Sequence, residues 1–385
     1  MRRTTRLTHV LLALLSLLLM ACSASTMKVE KATTKFDDNL FPQYQNIKIP
    51  SKEEVFALSP DLEQKLNQSE IQALSNHARA KYFLELLYSR DISTFTYNPN
   101  GTTIATRTWE EKSGNCISLT ILAYSVGRAL KLPIVMQDVD VPVQFDRRGN
   151  VEFLNTHVNA MIRSKDFWFD TDSTQRGFLI IDFEPQTIVL KPGKPLDEQE
   201  VLSRFYNNLG AEYLAIGQRI HAYAYLRAAL QSDPNNSLAL SNLAQIYLQE
   251  GAPHFAENSL KQALHINPDD AVVMRTLQAL LRQQNRHQEA QTLEPAIRAS
   301  DEKNPHYLIG LGLHAMSQQR YHEAIDKLER AAQMTNGFAE LHQALAEAYN
   351  KTGEVEKAKL EIRKLVSLMA THPKAKAIRS KFAQM

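Results

Sequence analysis

The chain has 385 residues, 44% of them hydrophobic and 22% charged, ordinary globular usage with material for two or three domains. Its formal net charge of +2 carries no concentrated basic face of the kind that marks a nucleic-acid partner. Three of the 44 basic residues (Arg2, Arg3 and Arg6) lie in a segment expected to be removed, which leaves 41 against 42 acidic.

In chain order, the positive start is followed by Val10 to Met20, an apolar run of 11 residues. A membrane-spanning helix needs about 20, so the run fits the core of a signal peptide. It ends in Leu19-Met20-Ala21-Cys22, which resembles the lipobox of bacterial lipoproteins. That resemblance implies cleavage after residue 21 and lipidation of Cys22. Acyl chains contribute ~0.8 kcal/mol per buried methylene, enough for stable anchoring when several are attached. Ser23 follows the cysteine in place of Asp, which by the same resemblance implies an outer-membrane site facing the periplasm. Residues 22–50 are polar, contain Pro42 and Pro50, and read as a tether.

An α+β domain is expected over residues 51–195. Ser51 to Arg90 has helical spacing and opens like a capping box, with Pro60 as an interruption. A helix begins near Ser113-Gly114-Asn115-Cys116, with Leu119, Leu122, Ala123, Val126 and Leu130 as its apolar stripe. Strands are expected at Ile134 to Phe145, Val151 to Ile162, Phe167 to Asp172 and Phe178 to Leu190, with a hairpin turn at Asp146 to Asn150. Lys191 to Pro195 marks the end of this domain.

From residue 203 the pattern is helical with a 34-residue period: 203–236, 237–270, 271–304, 305–338 and 339–372. The first unit has Tyr206, Leu209, Gly210, Tyr213, Ala222, Leu226, Ala229 and Pro234. The second repeats these offsets at Leu240, Leu243, Ala244, Tyr247, Ala256, Leu260, Ala263 and Pro268. The pattern resembles the tetratricopeptide repeat (TPR), an all-α solenoid whose repeats recruit protein or peptide partners. The third unit is degenerate, with Gln278 at the glycine position and Pro295 inside its second helix. Residues 373–385 read as a C-terminal capping helix.

Cys22 and Cys116 are the two cysteines, so lipidation of the first leaves Cys116 as the sole thiol. A helix start favours thiolate over thiol. His157 follows 41 residues on, and Asp172 a further 15. Cysteine, proton-taking histidine and orienting carboxylate form the logic of a nucleophilic triad. Asp170 stands as the alternate third member, since it faces the same way on the strand.

Gly114-Asn115-Cys116, Arg128 to Pro133, His157, and Trp168 with Asp172 and Thr174 resemble the transglutaminase-like, papain-like cysteine enzymes over residues 108–175. The resemblance implies attack of the thiol on a peptide or protein amide, a thioester, and release to water or an amine. Asn159 stands where that family places an aromatic residue; a backbone N–H at the helix start can stabilise an oxyanion, and Trp109 is the side-chain candidate for that role. No cofactor and no metal are expected; His221, His254 and His265 lie in repeat helices without ligand spacing. Two functions follow: a membrane-anchored periplasmic cysteine enzyme with a partner-recruiting solenoid, or a non-catalytic envelope scaffold built on the same repeats.

Overall fold

The computed structural model describes residues 36–89, 92–99, 101–148, 151–163, 178–183, 192–334 and 338–370. The signal segment, Cys22, the strand with Trp168, Asp170 and Asp172, and the 373–385 capping helix lie outside the described residues.

The stretch expected to be helical from Ser51 is four helices. They are α1 (Lys52–Phe56), α2 (Pro60–Leu66), α3 (Ser69–Gln72) and α4 (Asn76–Leu87). Ser51 and Glu54 close a full capping box on α1. Pro60 opens α2, the position where its missing N–H costs nothing. Short strands β1 (Tyr88–Ser89) and β2 (Ile92–Ser93) pair with each other. Then β3 (Thr96–Tyr97), α5 (Ala105–Glu111) and β4 (Ser113–Gly114) lead into α6 (Cys116–Ala129), with β3 and β4 parallel.

All five residues of the anticipated stripe on α6 are buried, and so are Ile117 and Ile121 on its other sides. This helix is buried over most of its surface, with Arg128 exposed on the remaining side. One side rests on a sheet of β5 (Ile134–Arg148), β6 (Val151–Arg163), β7 (Phe178–Ile181) and β8 (Lys194–Leu196), ordered β7-β6-β5-β8 and antiparallel throughout. Gly127 makes that contact close: a Cβ there would stand 2.8 Å from Ile134 Cδ1.

Two boundaries differ from the sequence reading. Pairing of β5 with β6 continues to Arg148↔Val151, so the hairpin turn is narrower than Asp146 to Asn150. The segment expected to end the domain instead supplies β8, whose Leu196 pairs with Met136. Pro195 fits there because an edge strand needs no outward N–H.

The helices that follow pair as the period predicts. They are α7 (Glu198–Ala215) with α8 (Arg219–Ser232), and α9 (Ser237–Gln249) with α10 (Pro253–Ile266). Next comes α11 (Ala271–Gln283) with the split pair α12 (His287–Thr292) and α13 (Glu294–Lys303). Then follow α14 (Pro305–Ser317) with α15 (Tyr321–Met334), and α16 (Ala339–Thr352) with α17 (Val355–Ala370). Added Cβ atoms at Gly210 and Gly312 would meet Leu226 Cγ at 2.7 Å and Leu328 Cγ at 2.5 Å, so in these two pairs a leucine of the second helix packs directly on the glycine of the first.

The degenerate third unit breaks where its sequence says it should. Pro295 sits in the first turn of α13, and the helix before it ends at Thr292. Gln278, in the place of glycine, donates from Nε2 to the Ala290 carbonyl (3.0 Å) and to Glu294 (3.0 Å), satisfying groups at the break. The core divides near here as well. One cluster runs from Phe41 to Ala290 and a second from Leu308 to Ala358.

Glu257 on α10 ties the second repeat to the third through Arg286 (2.6 Å), and Lys261 also reaches it. Its hydrogen bond from Arg286 holds the carboxyl down at about 2 against an ordinary 4.5. A depressed carboxyl stabilises the fold above the unfolded value and loses that contribution as pH falls towards the folded one. Stability should therefore drop between pH 4.5 and about 2, and urea titrations should show that Glu257→Gln flattens this part of the slope. An unchanged slope would remove Glu257 from the account.

Residues 36–50 correct the tether expectation. Phe41 is 1% exposed and stacks on Tyr223 with ring centroids 4.0 Å apart. Asp38 accepts from Tyr223 (2.7 Å) and pairs with Arg227 (3.0 Å). The Asp37 N–H donates to the Tyr247 hydroxyl (3.1 Å). A polar composition misled here because one phenylalanine between two turns is enough to fasten a segment to aromatic helices.

Candidate functional site

Cys116 is the first residue of α6 and is half-buried. The preceding Asn115 caps the helix, its Oδ1 accepting from the Ser118 N–H at 3.0 Å. One turn further on, the Thr120 hydroxyl donates to the Val158 carbonyl (3.2 Å), beside His157 on β6. Helix start and histidine thus approach the same short stretch of β6.

His157 is buried, and its Nε2 lies 2.7 Å from Oδ2 of Asp182. The same oxygen accepts from Asn159 Nδ2 at 2.9 Å. An ionised carboxylate only accepts, so Nε2 carries the ring proton and, in the neutral imidazole, Nδ1 carries the lone pair. That is the tautomer a proton acceptor needs. Beyond Asn159, Gln137 Nε2 donates to its Oδ1 (2.7 Å), and the Gly193 N–H donates to Gln137 Oε1 (3.0 Å). Gln137 opposes Asn159 in the register, and Asp182 directly follows β7, whose Ile181 opposes Ala160. Three neighbouring strands therefore build one buried polar row. Tyr88 closes it from outside. Its hydroxyl donates to the Asp182 carbonyl (3.1 Å), and its ring stacks on Phe183. Burial pushes the Tyr88 phenol far up, and the charge of Asp182 adds to this.

Of the residues anticipated from sequence, Cys116 and His157 stand where a helix start and a strand were expected. Asp172 and Asp170 lie outside the described residues. The carboxylate found on His157 is Asp182, which the sequence reading passed over because it lies 25 residues from His157 in a run taken as plain strand. Asn159, at the position the resemblance gives to an aromatic residue, donates to Asp182, a role that only the strand pairing creates. Trp109 lies on α5, with the Lys112 ammonium over its ring.

The alternation of β6 also sets a constraint. Val158, Ala160 and Ile162 join the apolar cluster with α6, whereas His157 and Asn159 occupy the intervening positions. The helix bearing Cys116 covers one row and the histidine projects with the other. Among the described residues no group of three His, Cys, Asp or Glu is arranged to hold a metal ion, and no helix is long and apolar enough to cross a membrane.

A sequence model of the tetratricopeptide repeat matches residues 214–281 and 315–382. The chain carries tetratricopeptide repeats, and its C-terminal half is their helical solenoid. It is 27% identical over 186 residues to DnaJ homolog subfamily C member 3 of Gallus gallus, covering 43% of this chain and 36% of that protein. It is 35% identical over 80 residues to the uncharacterized protein ycf37 of Pyropia yezoensis, covering 21% and 45%. The chain thus spans less than half the length of these curated relatives. Solved structures similar to it include Pseudomonas aeruginosa pilF (23% identical, 45% of this chain and 78% of that one, TM-score 0.26). MamA of Desulfovibrio magneticus is another (17% identical, 43% and 94%, TM-score 0.25).

Proposed function

We propose that this protein is an envelope scaffold, anchored through Cys22 in the outer membrane facing the periplasm, whose repeats dock a protein or peptide partner. The observation that carries the reading is the continuous core from Phe41 to Ala290, which joins the α+β domain to the first three repeats as one body. A rigid body of this kind presents a fixed concave surface, the general use of a repeat solenoid. Repeats of this type generally mediate partner binding, and the relatives share them.

A second reading is favoured by one observation, the buried His157–Asp182 pair in the tautomer of a general base. In it the protein is a transglutaminase-like cysteine hydrolase or acyltransferase. Cys116 attacks an amide carbonyl, His157 takes the thiol proton and delivers it to the leaving amine, and Asp182 orients the ring, the part sequence gave to Asp172 or Asp170. The thioester is then opened by water or an acceptor amine. It stands second because α6 and His157 occupy alternate rows of β6.

One pair of measurements separates them. A photo-crosslinker at Asn242, on the first helix of the second repeat, is expected to give a discrete adduct in envelopes that Cys116→Ser leaves unchanged. The pH profile of Cys116 alkylation is expected to be indifferent to His157→Ala. No adduct, or one lost with the thiol, counts against the scaffold. A low-pH plateau abolished by His157→Ala would install the enzyme.

A further inference from the structure

The cap of the cysteine helix is completed by the repeats. The Thr102 hydroxyl donates to Glu212 Oε1 on α7 at 2.6 Å. Asn115 Nδ2 donates to the Thr102 oxygen at 2.7 Å. Asn115 Oδ1 then faces the Ser118 N–H. Around this line, the Ser118 hydroxyl donates to the Gly101 carbonyl (3.3 Å) and accepts from the Thr103 N–H (2.8 Å). Thr102, Asn115 and Ser118 are all buried.

The direction of these bonds is forced from one end. A carboxylate only accepts, so the single proton of Thr102 points to Glu212. The Thr102 oxygen can then only accept, and the amide of Asn115 must turn its NH2 that way. That leaves Oδ1 towards Ser118, the orientation a cap requires. Without an acceptor at position 212 the Thr102 proton is released to Asn115. The amide can then reverse and set its NH2 against the Ser118 N–H, donor against donor.

We propose that Glu212, a residue of the first repeat, is a positioning residue for Cys116, acting through Thr102 and Asn115 on the first turn of α6. The consequence for thiol chemistry rests on the cysteine-enzyme reading; the consequence for the cap does not. The first repeat is then part of the frame of the cysteine helix as well as of the solenoid.

The test uses the full chain with Cys22→Ser, so that Cys116 is the only thiol, and two conservative pairs. Glu212→Leu and Thr102→Val remove the polar link, while Glu212→Gln and Thr102→Ser keep an acceptor and a hydroxyl. Amide exchange of a peptide covering the first turn of α6 should accelerate about fivefold to tenfold in the Leu and Val variants, the equivalent of a lost cap. The Gln and Ser variants should exchange like the parent. The pH profile of Cys116 alkylation should move with the same pattern. If Glu212→Leu fails to fold, Thr102→Val, which preserves shape, carries the test. Exchange and alkylation unchanged in both disruptive variants would overturn the proposal, as would Glu212→Gln behaving like Glu212→Leu, which would make charge and not bond direction the cause. His157→Ala, run beside them, reports on the enzyme reading alone: a profile blind to His157 ends that reading and leaves the exchange result standing.

Discussion

Asp182→Ala is expected to lower folding stability by about 3 kcal/mol, because it leaves two buried donors without an acceptor, each costing about 1–3 kcal/mol. The Asp182 oxygen serves two donors, His157 Nε2 and Asn159 Nδ2, and its side chain is 5% exposed. Deleting it strands both donors where water cannot replace it. Asp182→Asn should cost less, because its one carbonyl oxygen can still accept from one of the two. Urea unfolding of the three proteins measures this. A loss below about 1 kcal/mol for the alanine variant, the level of an exposed pair, would mean that the row is solvated and not a built site. Comparing Asp182→Asn with Asp172→Asn in Cys116 alkylation would also show which carboxylate serves His157.

Phe41→Ala should destabilise the protein by about 3–5 kcal/mol, the usual result of emptying a buried aromatic site. Phe41 is fully enclosed between Tyr223 and Tyr247, at the point where the N-terminal segment meets the repeats. A tether residue would change stability by no more than about 0.5 kcal/mol. Asp38→Asn is the control. Asp38 is 40% exposed on its side chain, and its pair with Arg227 should contribute about 1 kcal/mol or less. A thermal melt in which Phe41→Ala and Asp38→Asn behave alike would show the segment to be loosely laid on the helices.

The repeats were legible in the sequence because their signal is local. A glycine or alanine at a fixed offset in four of the five units, a proline after the second helix of the first two and a 34-residue period each act within one helical pair. Even the defect in the third repeat could be read from Pro295 and Gln278, since a missing N–H and an added side chain are properties of those residues alone. The start of α6 was equally legible from Asn115 and the apolar run behind it.

What the sequence could not decide was pairing across distance. Nothing local distinguishes Asp182 from Asp172 or Asp170 as the partner of His157; that depends on the register of β6 and β7 and on which strand ends first. Nor could composition reveal that residues 36–50 are docked, that Lys194–Leu196 closes a sheet edge, or that a carboxylate 97 positions beyond Asn115 completes a helix cap. Helix capping, repeat spacing and turn chemistry are fixed by neighbours in the chain, and the sequence by itself determined them. The buried polar row and the fusion of two domains depend on which surfaces exclude water together, and only the tertiary structure brings those surfaces into contact.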